Sequence, residues 1–280
     1  VTTVDVDVTE LMAVAERIAR EAGSLVSDGR PDRVTVAATK TSQQDVVTAM
    51  DYASEELLRR RLAELRPDDG VLGEERGFAA GPSGVTWVVD PIDGTVNYLY
   101  GQPSYAVSVA AVTGPAGQAP DPRTWTVLAS CVHAPTLGLT YTAARGRGAW
   151  RDGVRLTLGP GPDELSGCLL GTGFGYLAQR RAVQGRVVAA LLPQVRDIRR
   201  IGSAAVDLCS VAAGALDAHY ERGLQPWDLA GASLVVTEAG GAVVGLRGRP
   251  ASDEMTVAGP PAVVARLVPL LEELGADTDA

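Results

Sequence analysis

Apolar residues recur at helical spacing near the start of the chain. Leu11, Val14, Ala15, Ile18, Ala19, Ala22 and Leu25 fall on one face, while Glu16, Arg17, Arg20 and Glu21 fall on the other. Asp7 followed by Glu10 supplies a start signal, since an N-cap oxygen and a glutamate three residues on satisfy free amides. Gly29 and Pro31 end this first predicted helix. A second begins at Thr48 with Asp51 as its reciprocal partner, carries Leu57, Leu58, Leu62 and Leu65, and stops at Pro67.

The pattern then changes period. Val85–Val89 is a continuous apolar run, as in a buried strand, and Tyr105, Val107, Val109 and Ala111 alternate with smaller residues. Trp125–Val132 and Leu139–Ala143 are further strands, with Gly146–Gly153 as a turn-rich connection. Gly159-Pro-Gly-Pro162 is the best linker and divides the chain into residues 1–158 and 159–280. Beyond it, extended segments at Leu169–Leu170, Asp197–Ile201, Ala215–Tyr220, Ala242–Val244 and Thr256–Ala258 alternate with helical ones. The helices are Arg180–Leu192, Ala204–Ala213, Leu229–Ala239 and Pro261–Leu274. The expectation is an α+β half followed by an α/β half.

Composition narrows the function classes. A hydrophobic content of 46% in 280 residues supports a sizeable core. A net charge of −9 disfavours nucleic acid and anionic membranes as partners, and it demands local compensation wherever a phosphate binds. No apolar run is long enough to span a bilayer, and the Val1–Asp7 stretch lacks the features of a secretory signal, so the cytoplasm is the expected location. Cys131, Cys168 and Cys209 are scattered without a metal-binding spacing and read as reduced core thiols. His133 and His219, the two histidines, are too far apart to read as a zinc site.

The chemistry concentrates in Trp87-Val-Val-Asp90-Pro-Ile-Asp93-Gly-Thr95. A buried strand delivers two carboxylates at its C-terminal end, and Pro91 stiffens the turn between them. Asp90 and Asp93, with the Ile92 carbonyl, are the oxygen donors that a hard cation such as Mg²⁺ requires. Gly94 and Thr95 then open a helix whose free amides suit a phosphate. Taken alone, Glu74 and Glu75 read as a solvated loop, and Asp228, ahead of the helix at Leu229, reads as an N-cap. Lys40 is the only lysine in an arginine-rich chain, a hint that its position resists replacement.

Together these segments resemble the inositol monophosphatase family, a group of lithium-sensitive, magnesium-dependent phosphatases. The resemblance runs from Lys40-x-Ser42-x-x-Asp45-x-Val47-Thr48-x-x-Asp51 through Gly73-Glu74-Glu75 and Trp87–Asn97. It continues in Gly202-Ser-Ala204-Ala205 and in Trp227-Asp228-Leu-Ala-Gly-Ala232 with Thr237-Glu-Ala-Gly-Gly241. It implies a layered αβαβα fold with the active site between two subdomains, and a homodimer. It implies two or three Mg²⁺ ions: one held by Glu74, Asp90 and the Ile92 carbonyl, a second by Asp90, Asp93 and Asp228, and a weaker third that leans on Glu74. Thr95 would position the attacking water with Asp51 as its partner, and Asp51, Glu74 and Thr95 are the implied catalytic residues. Asp93, Gly94, Thr95, Ala204, Glu221 and Asp228 are the implied substrate contacts, Gly94 and Thr95 at the phosphate and Ala204, Glu221 and Asp228 at the alcohol.

Inositol monophosphate is the leading substrate. The alternatives are histidinol phosphate, fructose 1,6-bisphosphate, a 3′-phosphonucleotide or an aminocyclitol phosphate. No marked basic cluster stands out in the sequence, which disfavours bisphosphates. A different class of reading is a regulatory protein that binds the transcription machinery. Gly171–Tyr176 is glycine-rich and suits a pocket rim better than a nucleotide loop. Arg199 and Arg200 read either as groups that approach the substrate or a subunit boundary, or as plain surface charge.

Overall fold

The computed structural model describes residues 6–40 and 46–278. Asp7 caps α1 (Val8–Asp28), its carboxylate accepting from the Thr9 amide at 2.8 Å, and Leu11, Ala15, Ile18, Ala19 and Ala22 are buried along one face. A small antiparallel pair follows, β1 (Val36–Thr39) and β2 (Val46–Thr48), which the hydrophobic pattern does not announce. Ser42 and Asp45 of the Lys40 motif lie outside the described residues. Thr48 caps α2 (Ala49–Leu65) in a reciprocal box with Asp51, as expected.

The first large sheet is built from β3 (Gly70–Gly73), β4 (Gly77–Ala79), β5 (Val85–Asp93), β6 (Ala106–Thr113), β7 (Thr126–Ala134), β8 (Leu139–Ala144), β9 (Gly148–Arg151) and β10 (Val154–Arg155). A short helix, α3 (Thr95–Tyr100), follows β5. The strand order is β10-β9-β8-β7-β6-β5-β3-β4, with β3 and β5 parallel. Two expectations need correction. Gly146–Gly153 is not merely a connection: Ala143 pairs with Ala149 and Tyr141 with Arg151, so β9 extends the sheet. Strand β5 also runs past Val89 to Asp93, with its pairing to β6 slipping between Asp90 and Asp93. Pro91, which donates no hydrogen bond, sits in that irregularity rather than in a separate turn.

The second sheet combines β11 (Leu169–Thr172), β12 (Asp197–Arg199), β13 (Ala218–Glu221), β14 (Ala242–Val244) and β15 (Thr256–Gly259) in the order β12-β11-β13-β15-β14. Between these strands lie α4 (Ala178–Leu191), α5 (Ala204–Ala212), α6 (Pro226–Glu238) and, after them, α7 (Pro261–Glu273). Helix α6 starts at Pro226, a residue suited to the first helical turn, and not at Leu229.

Side-chain alternation on the strands sorts the layers. Trp87 and Val89 of β5 pack with Ile18 of α1 and Leu58 of α2. Val88, pointing the other way, packs with Leu208 of α5 and Leu234 and Val235 of α6. The outer face of the second sheet carries Leu170, Tyr220 and Val257 against Val187 of α4 and Leu267 of α7. The order is therefore α1/α2, first sheet, α5/α6, second sheet, α4/α7: the expected αβαβα layering. Helices α5 and α6 are apolar nearly all round because both sides are covered. Gly231 permits the closest approach of α6, since a Cβ there would lie 2.5 Å from Ser108 Oγ on β6. Among the described residues, no helix is long and apolar enough to cross a membrane.

Every strand of the first sheet precedes Leu158, yet α5 and α6, which cover one of its faces, come after it. A fragment comprising residues 1–158 is therefore expected to bind a hydrophobic dye and to lose the cooperative melt of the full chain. A sharp two-state melt of that fragment would make the halves independent domains.

Candidate active site

The end of β5 places Asp90 and Asp93 at the seam between the first sheet and the α5/α6 layer. Asp228, in the first turn of α6, meets them there: one carboxylate oxygen from each of the three lies within 4.8 Å of the others. Asp228 is not the N-cap of α6. Gln225 is, and its backbone N–H donates to Asp228 Oδ2 at 2.7 Å. That bond orients the Asp228 carboxylate. Asp93 is held by two donors from the α5 start, the Ser203 hydroxyl and the Ala205 amide at 2.7 Å. The Ile92 amide donates to Asp90 Oδ1 at 3.0 Å.

Glu74 joins from the turn between β3 and β4, where Lys40 Nζ donates to Glu74 Oε1 at 2.6 Å and to Glu75 Oε1 at 2.7 Å. The expectation of a solvated glutamate pair therefore fails: the Glu75 side chain is 3% exposed and carries an ion pair. Glu55, fully buried on α2, shapes this turn by accepting from the Glu75 amide at 2.7 Å and the Arg76 amide at 3.1 Å. Gly73 has no Cβ because one would meet the Glu55 carboxylate at 2.4 Å.

Electrostatics make this cluster unfavourable as it stands. Burial, then the charges of Glu74, Asp93 and Asp228, raises the Asp90 pKa well above the carboxylate range. Burial and the charge of Asp93 do the same to Asp228. Asp93 is pushed up to about 6 by burial, against the hydrogen bonds from Ser203 and Ala205. Burial pushes Glu74 up to about 7, against the opposing pull of Lys40. Converging buried carboxylates are costly unless positive charge joins them. Their donor set is all oxygen, with neither thiol nor imidazole in the cluster, which suits a hard divalent cation. The residues fit a metal site.

Beside it, Thr95 Oγ1 lies 3.1 Å from Asp51 Oδ1 and 3.0 Å from the Ile92 carbonyl. The other oxygen of Asp51 accepts from the Thr48 amide and hydroxyl, at 2.8 and 2.5 Å. Asp51 is thus locked in place and buried, and burial raises its pKa although the Thr48 and Thr95 bonds oppose the shift. Gly94 adopts a left-handed φ of 94°, and a Cβ there would lie 3.1 Å from the carbonyls of Gly202 and Ser104. This is the one conformation that turns the chain from β5 into α3 at this spot, and only glycine adopts it freely.

A cavity of about 500 Å³ opens from these groups. Its lining includes Glu74, Asp90, Ile92, Asp93, Gly94 and Thr95 from the first half of the chain, and Ala204, Glu221 and Asp228 from the second. All the sequence-expected residues but Asp51 border it directly, and Asp51 reaches it through Thr95. Glu221 is the last residue of β13, and its side chain is 15% exposed. Arg199 points outward and pairs with Asp197 at 2.6 Å, whereas Arg200 lines the cavity. Arg180 and Arg222 line it as well, so the fold gathers a basic rim from three segments where the sequence shows no basic run. Glu55 gave no sequence signal of its own, and Ser203, inside the Gly202 motif, gave none of its bond to Asp93: their partners are 20 and 110 residues away.

The model of the inositol monophosphatase family matches residues 7–276. The inositol-1-monophosphatase SuhB of Mycobacterium tuberculosis is 46% identical over 257 residues, covering 86% of this chain and 85% of that protein. The Nus factor SuhB of Escherichia coli is 37% identical over 236 residues, covering 83% of this chain and 84% of its own. Among solved structures, Mycobacterium tuberculosis SuhB matches with a TM-score of 0.80 at 42% identity, covering 98% of this chain and 100% of that one.

Proposed function

Because the chain belongs to the inositol monophosphatase family and is a phosphatase of it, we propose that it hydrolyses inositol monophosphate to inositol and phosphate with Mg²⁺. The observation that carries this reading is one cavity lined both by the acidic, metal-fitting cluster and by a further carboxylate, Glu221, outside that cluster. In this reading Glu74, Asp90 and the Ile92 carbonyl hold one ion and Asp90, Asp93 and Asp228 a second, with a weaker third at Glu74. Bound divalent ions would supply positive charge for the phosphoryl oxygens and ease the deprotonation of water.

The chain's own groups do the rest. A hydroxyl donates one proton, so when Thr95 donates to Asp51 its lone pairs stay available to accept from the attacking water. Asp51, with its far oxygen committed to Thr48, is the proton's destination through Thr95. The Gly94 and Thr95 amides cradle the phosphate. Ala204, through its backbone, and Glu221 and Asp228, through carboxylates, receive the ring hydroxyls. The halves 1–158 and 159–280 act as one catalytic unit, and the enzyme is a homodimer, to be checked by sedimentation velocity.

Glu221→Gln tests the alcohol assignment. A hydrogen bond to a charged group is worth about 1.5–3 kcal/mol, so kcat/KM for inositol monophosphate should fall by about 10-fold or more. Glycerol 2-phosphate, with fewer hydroxyls to reach the site, should be much less affected. A constant ratio between the two substrates would remove Glu221 from ring recognition. A fructose 1,6-bisphosphate arm belongs in the same panel, because Arg180, Arg200 and Arg222 restore a basic rim. The name of the Escherichia coli relative favours a second reading, a regulatory protein that binds the transcription machinery. Retention of RNA polymerase by this chain in a pull-down would support it.

A further inference from the structure

Behind Glu221 lies a buried group that the reaction above does not use. His219 is two residues earlier on β13, so both side chains point to the same face, toward α5 and the cavity. Its ring is fully buried, and Nε2 lies 3.2 Å from Glu221 Oε2. A carboxylate accepts, so Nε2 carries the hydrogen and donates. Asp207 of α5, 1% exposed and also lining the cavity, acts on the same ring through its charge. Neither Asp207 Oδ1 nor His219 Nδ1 has a hydrogen-bond partner.

The neighbouring strand is built to admit this pair. Gly171 of β11 stands in register with His219, and a Cβ there would lie 2.7 Å from His219 Nδ1. Gly173, two residues on and on the same face, would carry a Cβ 1.9 Å from Glu221 Oε1. The glycine-rich stretch is therefore a trough across which the imidazole and carboxylate lie. Burial disfavours a charged ring, but the Glu221 bond and the charge of Asp207 outweigh it and raise the His219 pKa.

We propose that His219 is a positioning residue that fixes the Glu221 carboxylate for the substrate's hydroxyls, so that the trough and the buried imidazole set alcohol specificity. This rests on the reading of Glu221 given above. Without the imidazole donor, the Glu221 carboxylate that lies over Gly173 loses the hydrogen bond that orients it.

The test compares kcat and KM for inositol monophosphate and glycerol 2-phosphate in wild type, His219→Phe, His219→Gln, Glu221→Gln and the His219→Phe/Glu221→Gln double variant. His219→Phe should lower the inositol-to-glycerol ratio of kcat/KM by about 10- to 30-fold, mostly through KM, the lower part of the range for a bond to a charged group. His219→Gln places an amide N–H near the Nε2 position and should restore most of the ratio. In the Glu221→Gln background, His219→Phe should change the ratio no further, because it acts through that carboxylate. His219→Met takes the place of the Phe variant if the latter does not fold. The proposal is overturned if Glu221→Gln shifts the ratio and His219→Phe does not. It is equally overturned if Gln rescues no better than Phe. If neither Glu221→Gln nor His219→Phe moves the ratio, the Glu221 reading itself falls.

Discussion

Asp90→Asn is expected to lower phosphatase activity by about 10³-fold or more, the upper end of what losing one electrostatic group costs, and to leave the protein folded. Asp90 is buried, at the centre of the carboxylate cluster, and repelled by Glu74, Asp93 and Asp228 at once. If it bridges two ions, the amide removes charge from both. Chelation should reproduce the loss in wild type. Thermal melts separate this from simple damage. In chelator the variant should melt above wild type, because asparagine lies neutral among the buried carboxylates without the proton uptake that the raised Asp90 pKa demands. With Mg²⁺ wild type should gain stability by ligand linkage, about 2.7 kcal/mol at a hundredfold excess over Kd, and the variant should not. Glu75→Gln is the control: Glu75 pairs with Lys40 and is not one of the three converging aspartates, so its loss should be much smaller. Equal losses in the two variants, with unchanged melts, would mean that the ligands are misassigned.

The second large effect is expected at Thr95. Thr95→Val keeps the shape of the side chain but removes the hydroxyl that lies 3.1 Å from Asp51. The kcat should fall by about 10²-fold, the lower end for a group that handles the proton of the attacking water, with a smaller change in KM. Asp51→Asn should fall in the same kinetic class. Asparagine can still accept from Thr48 through its oxygen, but its amide cannot accept from Thr95 at the position of Oδ1. The double variant should lose little more than either single one, because the two groups act as one unit. Losses that multiply in the double variant would show that Thr95 and Asp51 act separately.

Much of this protein is legible without coordinates where the signal is local. The Asp7 cap and apolar stripe of α1, the Thr48–Asp51 box of α2, and the apolar run entering Asp90-Pro-Ile-Asp93-Gly-Thr95 are each contained within a few turns or one strand. Periodicity and capping are properties of neighbouring residues, so the sequence alone determines them. The same holds for the oxygen-only chemistry of the acidic motif. The short strands β1 to β4 escaped because three or four residues, several of them glycine, carry no measurable period. Beyond the meeting of Glu74, Asp90, Asp93 and Asp228 that the family resemblance implied, which distant groups meet was decided only by the tertiary structure. The stacking of two sheets around α5 and α6 brings Ser203 to Asp93 across 110 positions. It turns Asp228 from an apparent cap into a member of the cluster, and it buries Glu75 against Lys40. It gathers Arg180, Arg200 and Arg222 around one cavity. It also lays His219 and Glu221 across Gly171 and Gly173, a contact that depends on strand register. Side-chain direction alternates along a strand and pairing partners are chosen by the packed layers, so no local pattern in the chain specifies these meetings.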